Sequence, residues 1–104
     1  MNNLDDKGKQ LDQHLIERMQ TGVRMEKRMV KVLKGLAEYL DISLGDLLEG
    51  IVLHAFAGKV PFSAHTLEQI ARLKEIYGMD YGVEASHRLR EIASQQEEEY
   101  QDAL

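Results

Sequence analysis

The amino-acid sequence predicts a mainly α fold: one N-terminal strand that pairs with the same strand of a second copy, two core helices, and a C-terminal helical hairpin. Three observations predict it. Residues 18–25 alternate strictly between polar or bare and apolar or small side chains, the period of a strand with one wet face. Residues 27–40 and 44–56 carry apolar side chains at three- and four-residue steps, the period of an amphipathic helix. Bases concentrate in residues 17–34 and acids beyond residue 61.

Size and composition bound the possibilities. At 104 residues the chain holds one small domain or a small domain with an appendage, and its first sixty residues alone make a marginal core without a partner. There is no cysteine, which excludes a disulfide framework, a thiolate metal site and a thiol nucleophile. No apolar run approaches the roughly 20 residues of a membrane span, and residues 1–7 lack the apolar stretch of a signal peptide. The expectation is a cytoplasmic protein with no membrane partner. The net charge of −5 is unevenly spread. Residues 17–34 hold six bases and two acids, whereas residues 61–104 hold four bases and nine acids.

Taken in order, residues 1–17 read as a flexible N-terminal arm, polar and without period beyond Leu11 and Leu15. In the strand, Met19, Thr21, Val23 and Met25 alternate with Arg18, Gln20, Gly22 and Arg24. A lone strand cannot satisfy its own backbone N–H and C=O groups. No second strand is visible in the sequence, so the expected partner is the same segment of another copy, in a homodimer. A one-residue slip of register would bury two arginines, which the desolvation of unpaired charge excludes.

The first helix, 27–40, places Met29, Val30, Leu33, Leu36, Ala37 and Leu40 on one face and Lys27, Lys31, Lys34 and Glu38 on the other. Asp41-Ile42-Ser43 interrupts it, and Ser43 is a good N-cap for the next helix. Leu44, Leu47, Leu48, Ile51, Val52, Ala55 and Phe56 form a broader stripe that ends at Gly58. A stripe that wide predicts a helix buried on more than one side, as in a dimer core. Gly45 and Gly50 each cost that helix about 1 kcal/mol against Ala. Pro61 punctuates the chain. A third helix is expected over 64–77, capped by Ser63 or Thr66, with Leu67, Ile70, Ala71, Leu73 and Tyr77 inward. A fourth is expected over 83–96, carrying Ala85, Leu89, Ile92 and Ala93. Residues 18–58 thus form the main domain and 61–104 a two-helix extension, a candidate surface for a protein partner.

Strand, helix, tight turn and helix, with a basic strand, resemble the ribbon-helix-helix family of DNA-binding proteins (the Arc, MetJ and CopG group) across residues 19–57. Val23-Arg24-Met25 matches the end of the family's strand, and Met29, Leu33, Leu36 and Ala37 its first helix. Asp41-Ile42-Ser43 stands at its turn, and Asp46, Leu48, Ile51, Val52 and Phe56 fit its second helix without a gap. The resemblance implies an obligate dimer whose antiparallel strands enter the major groove of double-stranded DNA, with Gln20, Gly22 and Arg24 toward the bases. The dimer core would be Val23, Met25, Leu33, Leu36, Leu48, Ile51, Val52 and Phe56. The second helix N-terminus, at Ser43 and Leu44, would offer amides to a phosphate. Two positions depart from the pattern: Gly22 has no side chain to read with, and Glu26 stands where Pro or Ser is common.

The chemistry suits that role. Arg24 can donate two parallel bonds to guanine and Gln20 can pair with adenine, each good bidentate pair giving roughly 1–3 kcal/mol of discrimination. Arg18, Lys27, Arg28, Lys31 and Lys34 would bind phosphates. The four histidines, His14, His54, His65 and His87, show no metal-ligand spacing, and no serine lies in a nucleophile elbow. The expectation is a sequence-specific transcriptional regulator, a repressor or antitoxin-like autoregulator, with no cofactor and no enzymatic activity. The alternative is a small dimeric helical protein-interaction module that has lost DNA binding, which the overall acidity, Gly22 and Glu26 favour.

Overall fold

A computed structural model describes residues 14–92. It contains three helices, α1 (Lys27–Leu40), α2 (Leu44–Phe56) and α3 (Ala64–Tyr77), followed by a single 3₁₀ turn, Val83–Ala85. The helix starts follow local chemistry. Ser43 and Ser63 stand extended before α2 and α3, and their hydroxyls accept from the amides of Asp46 and Thr66, which satisfies donors that have no partner inside the helix.

All three helices stop in the same way, at a residue in the left-handed region: Asp41 (φ 59°), Gly58 (φ 68°) and Gly78 (φ 70°). In each case two amides turn back onto the last helical carbonyls. Ile42 N–H donates to Ala37 at 3.0 Å, Lys59 N–H to His54 at 2.8 Å and Met79 N–H to Lys74 at 2.8 Å, the closing bond of a Schellman motif. Glycine takes this conformation freely and Asp tolerates it.

α1 is the central element. It packs chiefly against α3 and less extensively against α2, while the backbones of α2 and α3 stay apart. Leu36, Ala37 and Leu47 form the buried centre, surrounded by Leu33, Leu40, Ile51, Phe62, Ile70 and Leu73. Leu36 is only 1% exposed. Gly35 allows the close approach of α1 and α3, since a Cβ there would lie 2.9 Å from a terminal methyl of Leu73. Val32 is also buried, although it falls outside the stripe read from sequence. α1 is covered from two directions, which widens its buried face.

The third helix is rotated from the expected face. Its half-buried positions are Thr66, Gln69, Ile70, Leu73 and Lys74, a regular three- and four-residue stripe. Leu67, Ala71 and Tyr77 stay exposed. Lysine can bury its aliphatic stem along apolar surface while its ammonium stays in water, and Lys74 lies on this half-buried face.

The fourth helix expected over 83–96 is corrected within the described residues. After the 3₁₀ turn, 86–92 contain no helix, and His87 is left-handed with φ 65°. Gly82 supplies no side-chain cap at the start of this turn, unlike Ser43 and Ser63. Leu89 and Ile92 remain exposed, so the segment gains too little packing to support a short helix. Residues 14–25 are exposed throughout and lie in no helix. Among the described residues, their backbone makes no hydrogen bond within the chain, and no strand is shown. The arm expected over 1–17 falls largely outside the described residues. Among those described, no helix is long and apolar enough to cross a membrane.

Candidate nucleic-acid interface

The positions expected to touch bases, Gln20, Gly22 and Arg24, sit in the exposed segment that leads into α1. Nothing lies within 4 Å of the position a Cβ would take at Gly22. Two arginines of this segment are engaged by acids of the same chain. Arg18 makes a bidentate pair with Glu49 of α2, its Nε donating to Oε2 at 3.0 Å and Nη2 to Oε1 at 2.9 Å. This contact raises the Arg18 pKa and lowers that of Glu49. Arg24 donates through Nη2 to Oε2 of Glu91.

The bases of α1 divide into two groups. Lys27, Lys31 and Lys34 follow one another at four- and three-residue steps on an exposed face, where phosphate contacts would be expected. Lys31 Nζ lies 5.8 Å from the centre of the Tyr77 ring, within cation–π range. Arg28, by contrast, is held inside the molecule's own bonding. Its Nη1 donates to the Gly78 carbonyl at 2.9 Å and to Asp80 at 3.3 Å, and its Nε to Glu26 at 3.1 Å. Its guanidinium also lies 5.5 Å from the Tyr81 ring centre. Arg28 therefore joins the start of α1 to the loop after α3.

Glu26 is the hub of that junction and the N-cap of α1. Its carboxylate accepts from the amides of Arg28 (2.9 Å) and Met29 (3.3 Å) and from the Tyr81 hydroxyl (2.6 Å). The Tyr81 bond is the largest cause, followed by the Arg28 amide, of a carboxyl pKa lowered from 4.5 to about 2. Burial first, and then this carboxylate, raise the Tyr81 phenol to about 12. A negative charge at a helix N-terminus is also favoured by the helix dipole. The acid that departs from the resembled pattern thus has a structural job.

The expected dimer-core residues also divide. Leu36 and Leu33 belong to the core within one chain, together with Ile51, and Leu48 is half-buried. Val23, Met25, Val52 and Phe56 are exposed, Val23 at 74% and Phe56 at 83%. Leu53 and Val60 add to this uncovered surface. Ser43 and Leu44 do form the N-terminus of α2, but Asp46 places a carboxylate in the same first turn. Among the described residues no group of three or more His, Asp or Glu side chains is arranged to hold a metal ion.

Sequence reasoning missed Glu26 as a cap, because Glu is not among the common N-cap residues. It also missed Tyr81, Glu49 and Glu91, whose partners lie 55, 31 and 67 residues away along the chain. No local period signals such pairs. Compared with known proteins, the chain matches no family model, no curated protein and no solved structure.

Proposed function

We propose that the protein is a dimeric, sequence-specific DNA-binding regulator in which residues 19–25 of two chains pair antiparallel and enter the major groove. The observation that carries this reading is the shared exposure of two apolar surfaces. Met19 and Val23, the apolar side of the alternating segment, and Val52 and Phe56 of α2 are all uncovered in one chain. Large exposed apolar patches mark interaction sites, and a second copy would supply both a strand partner and a cover for α2. Paired in this way, Gln20 and Arg24 project from the opposite face, where guanidinium and carboxamide groups can read base edges. Lys27, Lys31 and Lys34 supply the phosphate contacts.

A second reading, a dimeric helical protein-interaction module without DNA binding, is favoured by one observation. Arg18 and Arg24 are both occupied by carboxylates of their own chain. Native mass and salt-titrated binding to a random duplex separate the readings. A dimer whose affinity falls steeply with salt supports the regulator. A dimer with no measurable binding at low salt supports the interaction module, and a monomer removes the basis of both.

A further inference from the structure

A hollow of about 410 Å³ opens between α1, α3 and residues 79–89, within the size range of small-molecule sites. Buried Val32 and Leu36 reach it from α1, Ile70 from α3, and Met79 and Ala85 from the segment beyond. The Tyr81 phenol also lines it, but its hydroxyl is given to Glu26, which fixes this wall to the start of α1. Lys74 alone among the lining residues carries a charge. It is half-buried, and among the described residues no carboxylate lies within ion-pair distance of it. Glu84 senses its charge but is turned to the backbone. The Glu84 carboxylate accepts from the Gly82 amide at 2.7 Å, and its own amide and that of Gly82 lower its pKa more than Lys74 does.

We propose that this hollow is a binding site for a small amphipathic carboxylate, an aliphatic chain of medium length whose acid group pairs with Lys74. Apolar walls give water few partners, so an alkyl chain that replaces it gains by the hydrophobic effect. Met29 and Met79 adapt to a flexible chain more readily than branched side chains do. One cation on otherwise uncharged walls selects the sign of the head group. It does so against the net charge of −5, which repels anions in general, so the ligand class follows from local complementarity. The site does not depend on DNA binding.

Isothermal titration calorimetry of the full-length protein with octanoate, 1-octanol and octyltrimethylammonium compares three head groups on one tail. Octanoate is expected to bind with a Kd below about 1 mM, 1-octanol more weakly and the cation not measurably. Lys74→Met keeps the stem and removes the charge. It is expected to weaken octanoate about two- to fivefold, the range of a partly exposed ion pair, and to leave 1-octanol unchanged, which shows that the hollow persists. In methyl-labelled protein, octanoate is expected to shift the resonances of Met29, Leu33, Ile70 and Met79 and to spare Val52 of α2. Shifts centred on Val52 and Leu53, equal affinity for octanoate and octyltrimethylammonium, or wild-type octanoate binding by Lys74→Met overturn the proposal. So does the absence of binding up to about 3 mM octanoate, whether a second copy or another part of the chain then fills the hollow. Each of these outcomes leaves the DNA reading intact, because no nucleic acid enters the assay.

Discussion

Glu26→Ala removes the acceptor for the first amides of α1 and the partner of the Tyr81 hydroxyl in one step. Loss of an N-cap costs about 1 kcal/mol, and a partly buried hydroxyl left without its bond adds about 1 more. The Glu26 side chain is 21% exposed, so water replaces part of what is lost, and the net expectation is about 1–2 kcal/mol. That corresponds to a fall in Tm of roughly 4–8 °C per kcal/mol for a domain of this size. Glu26→Gln keeps the shape and a capping oxygen but not the charge, and about half the effect is expected.

The charge gives the effect a pH signature. Glu26 titrates at about 2 in the folded chain against an ordinary 4.5. A carboxyl whose folded pKa is depressed stabilises fully above its unfolded pKa and loses that contribution as pH falls through its folded one. The wild-type advantage over Glu26→Gln should therefore be complete above about pH 4.5 and shrink toward zero near pH 2. Urea unfolding followed by circular dichroism, at fixed protein concentration and stepped pH, measures it. A difference below about 0.3 kcal/mol at pH 7, within the scatter of additivity, refutes the hub. So does a difference that stays constant across the acid window.

Four other outcomes are expected. Tyr81, raised to about 12 from 10, stabilises below its unfolded pKa and loses that contribution as pH rises from 10 to 12; phenolate absorbance should show the late titration and Tyr81→Phe should abolish it. Gly45→Ala meets nothing within 4 Å and should stabilise by up to about 1 kcal/mol in urea unfolding, whereas Gly35→Ala, 2.9 Å from Leu73, should lose that gain to overpacking. Phe56→Glu places a charge on the exposed face of α2 and should convert the proposed dimer to monomer in analytical ultracentrifugation without unfolding the helices. Arg24→Ala should relax sequence preference in selection from a random DNA pool, while Lys31→Ala should weaken binding to all sequences alike; identical effects of the two would mean that the segment does not read bases.

The helices were legible because their signals are local. Lys27–Leu40, Leu44–Phe56 and Ala64–Tyr77 each combine a periodic stripe with a stop at Asp41, Gly58 or Gly78, and Ser43 and Ser63 announce their own helices. The extension beyond residue 82 was misread for the converse reason. Ala85, Leu89 and Ile92 have helical spacing, but spacing states only which face would be buried, and among the described residues Leu89 and Ile92 stay exposed. The rotation of α3 was hidden by Lys74, whose charge conceals an apolar stem. The ion pairs of Arg18 with Glu49, Arg24 with Glu91 and Arg28 with Asp80 were beyond reach, because exposed charges carry no period and these partners come from distant segments. A basic cluster read from sequence therefore overstates the charge available to a ligand: Arg28 is committed to Glu26, Gly78 and Asp80.

The sum of charges says little about a polyanion partner, because fields are screened beyond about 10 Å at 0.1 M salt. What matters is which charges share a surface, and that is decided by what covers α2. A helix of 13 residues that packs on α1, and otherwise pairs Glu49 with Arg18, hides little more than the stripe facing that neighbour. Leu47 meets that need, and among the described residues Val52, Leu53 and Phe56 stay exposed. Met19 and Val23 are likewise exposed among the described residues. In the proposed dimer a second copy would cover both surfaces, and burying Val23 would turn Arg24 outward by the two-residue period of a strand. In that proposal the direction of Arg24 follows from the pairing of two chains, and DNA reading stands or falls with it.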